Sequence, residues 1–106
     1  MVQEDASLSG PEWTPLISLF GGYLNPDFDL DYADWREAVS AFRDESPSLV
    51  AKSIAKLGEL LRLAANEKEL EEAMDRLGLD GFYPPAEGMT YRGWIESVSD
   101  ILAGSV

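Results

Sequence analysis

Apolar residues recur along most of this chain at the spacing of one helical face. Trp13, Leu16, Ile17 and Phe20 fall at i, i+3, i+4 and i+7, one stripe of an amphipathic helix. Proline suits a first turn, so this helix is expected to begin near Pro11 and to tolerate Pro15. Gly21-Gly22 stands where a left-handed glycine commonly ends a helix. A second stripe is Trp35, Ala38, Val39 and Phe42, preceded by Asp34 and Glu37 in the D-x-x-E spacing of a capping box. Ser46-Pro47 offers a cap and a first-turn proline to a third helix. Its apolar positions are Val50, Ile54, Leu57, Leu61 and Ala64. Asn66 with Glu69 starts a fourth, carrying Leu70, Ala73, Met74 and Leu77 and closed by Gly78. Thr90 caps a fifth, which packs Tyr91, Trp94, Ile95, Val98 and Leu102.

Two stretches lack this period. From Asp27 to Tyr32 acid and apolar residues alternate strictly. An extended segment would put Asp27, Asp29 and Asp31 on one face, about 6.6 Å apart, and Phe28, Leu30 and Tyr32 on the other. With Asn25-Pro26 marking a turn before it, the segment reads as an ordered acidic loop. Leu79 to Gly88 is a second loop, where Pro84-Pro85 forbids helix. The aromatics Tyr23, Phe28 and Tyr83 lie in these loops and are expected to anchor them to the core. The pattern predicts an all-α fold. It would be a single-domain bundle of about five short helices over residues 1–106, with the acidic loop between the first two helices and residues 1–10 loosely ordered.

Composition narrows the chemistry. The chain has no Cys and no His. A thiol nucleophile, a thiolate zinc site, a disulfide framework and a Ser-His-Asp arrangement are therefore all unavailable. No enzyme is expected, and no catalytic, cofactor-binding or metal-binding residues are assigned. The first residues, Met1-Val-Gln-Glu-Asp-Ala-Ser, lack the basic and apolar regions of a signal peptide. No apolar run approaches the ~20 residues of a membrane span. A cytoplasmic protein is expected.

Charge changes the picture most. Twenty acidic side chains against eight basic ones give a net charge of −12. Residues 1–45 carry −8, residues 46–65 carry +2, and residues 66–106 carry −6. Such a field repels nucleic acid and anionic membranes and draws basic partners inward. The candidate binding residues are Asp27, Asp29 and Asp31, extended by Asp34 and Glu37 at the start of the next helix. A second candidate surface is the acidic helix near residue 70, through Glu69, Glu72 and Asp75. A calcium loop is a poor match for Asp27-x-Asp29-x-Asp31: position six is Tyr32 instead of Gly, and position twelve is Ala38 instead of Glu.

The stretch Pro15-Leu16-Ile17-Ser18-Leu19-Phe20-Gly21-Gly22-Tyr23-Leu24, then Asp27 to Tyr32 and Trp35-Arg36-Glu37-Ala38-Val39, resembles the CdiI-type immunity proteins of bacterial contact-dependent growth inhibition systems. Leu77-Gly78-Leu79, Tyr83-Pro84-Pro85 and Thr90-Tyr91-Arg92-Gly93-Trp94-Ile95 fit as well, so the likeness runs from about Trp13 to Leu102. One departure is Leu24-Asn25-Pro26-Asp27-Phe28, where the family usually has an aromatic-His-Gln-Asp-Trp stretch. The resemblance implies an immunity protein that binds a cognate toxin, whose C-terminal domain is the expected partner; a monomer binding one-to-one is the default expectation. Nuclease toxins are frequent in such systems, and their phosphate-holding sites are basic. An acidic chain would block one by shape and charge, with its Asp row partly imitating a nucleic-acid backbone. Two alternatives share some of these features: an acidic, nucleic-acid-mimicking inhibitor of another nuclease, and a calcium-binding helical module.

Overall fold

The computed structural model describes residues 11–104, so the expected loose segment 1–10 lies outside the described residues. A 3-10 turn, Pro11–Trp13, runs into α1, Thr14–Ile17, and on through a π-helical turn, Ser18–Tyr23. The other helices are α2 (Phe28–Asp31), α3 (Trp35–Glu45), α4 (Pro47–Leu63), α5 (Glu67–Arg76) and α6 (Tyr91–Leu102), with a 3-10 turn at Pro84–Glu87 before the last. No strand occurs among the described residues. The fold is all-α, with one short helix more than the apolar stripes predict.

α6 is the hub of the bundle, packing against α3, α4 and α5. Trp94, Ile95, Val98, Ile101 and Leu102 enter the same core as Trp35, Val39 and Phe42 of α3 and Leu70 and Met74 of α5. At its centre the Trp94 ring meets Phe20, Trp35 and Phe82 at centroid distances of 5.8, 5.7 and 5.3 Å. Ile17, expected on the inward stripe, is 39% exposed, while Leu19 and Leu24 are fully buried.

The starts of α3, α5 and α6 behave as their side chains dictate. Asp34 accepts the Glu37 N–H at 3.0 Å, and the Glu37 carboxylate accepts the Ala33 N–H at 2.5 Å, a closed capping box. Asn66 and Glu69 repeat it at α5. Thr90 accepts the Gly93 N–H at α6. That start has a second, long-range cap: the Glu67 carboxylate accepts the N–H groups of Tyr91 (2.6 Å) and Arg92 (3.0 Å). One acid of α5 thus saturates two orphan donors of α6 and sits at its positive end. Ser46, expected to cap α4, makes no side-chain cap bond.

Two glycine expectations have different outcomes. Gly78 closes α5 as expected, at φ +95°, with Leu79 N–H to Met74 C=O and Gly78 N–H to Asp75 C=O, the Schellman pattern. Gly21-Gly22 does not stop the first helix, which continues to Tyr23. Gly21 instead provides a close approach, because a Cβ on Gly78 would stand 3.2 Å from the Gly21 Cα.

Candidate functional site

The acidic segment is not extended. Asn25 accepts the Asp27 N–H on its side chain at 2.9 Å and the Phe28 N–H on its carbonyl at 3.0 Å. This turn, with the fixed φ of Pro26, launches a helical turn. Leu30 N–H then bonds to Asp27 C=O and Tyr32 N–H to Phe28 C=O. The physical reason is burial. Phe28 and Tyr32, four apart, both pack on the core from one side of α2, whereas Leu30 is 81% exposed. An extended chain would have aligned all three apolar residues. The expected row of Asp27, Asp29 and Asp31 is therefore corrected. Asp27 and Asp31 share one flank of the turn, and Asp29 lies about 200° around the axis.

Each predicted site residue has a definite place. Asp27, Asp29 and Asp31 are exposed, and no hydrogen bond or ion pair holds their carboxylates among the described residues. Asp34 and Glu37 are exposed but engaged in the α3 capping box. Asp29 and Asp34 line a groove of about 510 Å³ with Pro26, Phe28, Trp35, Phe82, Tyr83 and Glu87. Arg36 also lines it, its guanidinium 4.6 Å above the Trp35 ring. Three carboxylates, one cation and four aromatic rings thus share a single depression.

The aromatics of the loops divide. Tyr23 is anchored as expected: its ring packs edge-on to Phe42 and beside Tyr32, and its hydroxyl donates to the Glu45 carboxylate at 2.6 Å. That acceptor, with burial, holds the Tyr23 phenol above its ordinary pKa. Phe28 also packs on the core. Tyr83 does not; it is 53% exposed, its ring edge-on to Tyr91 at 6.4 Å. Two prolines follow Tyr83 and begin a 3-10 turn, which leaves its ring on the outer wall of the groove.

Of the second candidate surface, Glu69 is spent on the α5 capping box and Glu72 is exposed. Asp75 instead lines a smaller pocket of about 290 Å³ with Glu71, Asp80, Phe82, Tyr83 and Tyr91. The sequence marks Glu71 only as one more acid of that helix face and Tyr91 only as core, and it gives Asp80 no role. The i, i+4 spacing of Glu71 and Asp75 on one helix, with Asp80 just beyond its end, is the signal that could have found this pocket. Burial, and then the charge of Glu71, push the Tyr91 phenol up to about 12. A raised folded-state pKa means that the neutral phenol is favoured by folding. That contribution is complete below the unfolded value of about 10 and is lost as pH rises towards 12. The urea midpoint of the wild type is expected to fall more between pH 9 and pH 11.5 than that of Tyr91→Phe, which lacks this titration.

Gly81 joins the two depressions, lining both. Its N–H donates to the Leu24 carbonyl at 3.0 Å, tying the 79–83 loop to the segment that leads into α2. Among the described residues no cluster of three or more Asp or Glu is placed to hold a metal ion, and no helix is long and apolar enough to cross a membrane. The surface offers negative charge beside the exposed ring of Tyr83, a combination suited to a protein partner bearing basic groups.

No curated protein and no solved structure matches this chain. A family model described as CdiI immunity protein matches residues 12–102, which takes in the caps, both depressions and all six helices, and the chain belongs to that family.

Proposed function

We propose that this immunity protein silences a nuclease toxin by laying the Asp29–Asp34–Glu87 groove, with Tyr83 on its wall, over a basic surface of the toxin. Membership of the family supplies the coarse role, binding and neutralising a cognate toxin protein. The observation that carries the finer reading is the groove itself, where three carboxylates stand beside the exposed ring of Tyr83. Exposed tyrosines are favoured interface anchors, and a concentrated acidic field accelerates capture of a basic partner. Asp27 and Asp31, on the other flank of α2, add to the field without lining the groove. Asp34 and Glu37 act through their charge while their inner oxygens hold the cap. Inhibition is steric and electrostatic, with no bond made or broken. The partner is the toxin's C-terminal domain, held one-to-one in the cytoplasm.

The test is co-expression with the toxin domain encoded beside the gene, followed by size-exclusion chromatography and stopped-flow association. Asp29→Asn, Asp34→Asn and Glu87→Gln are to be combined; Asn is as good a cap as Asp, so α3 is preserved. The association rate at low salt is expected to fall about tenfold or more, and its dependence on salt to flatten. Unchanged rates and full protection of cells would remove the groove from the interface. An inhibitor of some other nuclease would use the same charges, and no separate observation favours it. Nothing in the loop geometry favours calcium.

A further inference from the structure

The smaller pocket has features that the groove lacks. Its charged lining residues are all acidic, Glu71 and Asp75 from α5 and Asp80 from the following loop. No basic side chain lines it. Its wall contains Tyr91, which is 6% exposed. The Tyr91 backbone is satisfied by Glu67, yet its hydroxyl makes no hydrogen bond among the described residues. The side chain is buried while its oxygen stays open to the pocket, where it can take a partner from outside. Tyr83 stands across from it, edge-on and half exposed.

We infer that this pocket receives one arginine side chain of the toxin, between the Glu71, Asp75 and Asp80 carboxylates and against the rings of Tyr83 and Tyr91. A volume of about 290 Å³ suits a single long side chain rather than a larger ligand. A guanidinium matches the lining in three ways. Its five N–H donors can serve separate carboxylates at once. Its flat face packs on a tyrosine ring, and its edge can donate to the free Tyr91 oxygen. A lysine ammonium can also lie over a ring and donate to an oxygen, but it lacks the flat face and rigid fork that satisfy all three at once. The inference rests on the reading that the toxin presents a basic face, and it names the anchor on that face. Tyr83 belongs to both depressions, so an arginine seated here places the adjoining toxin surface over the groove.

The experiment has two arms. In the first, N-acetyl-arginine amide is titrated into the full chain and backbone amides are followed by NMR, with N-acetyl-lysine amide as control. Saturable shifts centred on Asp80, Gly81 and Phe82, several-fold weaker for lysine and absent in Asp75→Asn/Asp80→Asn, are expected. Equal, non-saturating shifts with both probes would overturn the inference. This arm needs no toxin, so it stands or falls apart from the proposed function. In the second, the cognate toxin domain is bound to the wild type, to Asp75→Asn/Asp80→Asn and to Tyr91→Phe. The double variant is expected to dissociate about tenfold faster or more, and Tyr91→Phe severalfold faster, with folding checked by circular dichroism. Wild-type dissociation rates in both variants would sink the pocket and leave the groove reading intact.

Discussion

Replacing Gly81 with alanine is expected to destabilise the protein by about 3 kcal/mol or more, although the residue lies in a loop and the change adds one methyl group. A Cβ built there stands 2.5 Å from the Leu24 carbonyl oxygen and closer still to the carbonyl of Asn25. Both neighbours are backbone, so no rotamer change can relieve the overlap. Either the Gly81 N–H bond to Leu24 is given up or the turn at Asn25 is displaced, and with it the start of α2. Overpacking of flexible side chains costs about 1–3 kcal/mol; a rigid backbone contact belongs at or above the upper end. Against a typical total of about 5–15 kcal/mol the loss is large. Urea unfolding checks it. A midpoint within error of the wild type would mean that the 79–83 loop can lift away freely. Gly22→Ala serves as the control, because a Cβ there meets nothing within 4 Å.

Trp94→Ala is expected to cost about 3–5 kcal/mol, the range for deleting a buried tryptophan. The ring is fully buried and touches three other aromatic rings drawn from three separate parts of the chain. Its removal would leave Phe20, Trp35 and Phe82 lining a void, and near-ultraviolet circular dichroism should lose most of its intensity. Trp94→Phe separates packing from polarity. The indole Nε1 is buried with no hydrogen-bond partner among the described residues, so phenylalanine removes an unpaired donor along with some volume. A cost of about 1–2 kcal/mol is expected for that change. A cost as large as that of alanine would show that the indole nitrogen is bonded in solution.

The bundle was legible in the sequence wherever one signal acted alone. α3 and α5 have strong apolar stripes introduced by reciprocal caps, and Asp34–Glu37 and Asn66–Glu69 form as the spacing predicts. α2 was not legible because two periods compete within six residues. Asp27 to Tyr32 alternates perfectly, yet the pair Phe28 and Tyr32 also fits a single helical turn. Only the packing of those two rings on the core decides between the readings. The Gly21-Gly22 pair misled for a related reason. Glycine ends helices and also lets backbones touch, and the neighbour that selects the second role, Gly78, lies 57 residues away in the chain.

The geometry of the candidate site was half legible. The acids of the α2 segment were evident, but their distribution around a helical axis was not. Asp75 reads in the sequence as part of a helix face, whereas its neighbours in the pocket are Glu71, Asp80 and two tyrosines contributed by the loop and by α6. Residues brought together by the tertiary fold leave no periodic trace in a single sequence. Tyr83 shows the same limit, since the prior for a large aromatic is burial and half of this ring is exposed.

The hydrogen bond from Gly81 to Leu24 has a consequence for motion. An amide in an irregular loop ordinarily exchanges its proton with solvent quickly. This one can exchange only when the loop parts from the α2 segment, and that same parting removes a wall from both depressions. Opening of the two is therefore one event with one free energy. A partner that grips either side raises the cost of that event.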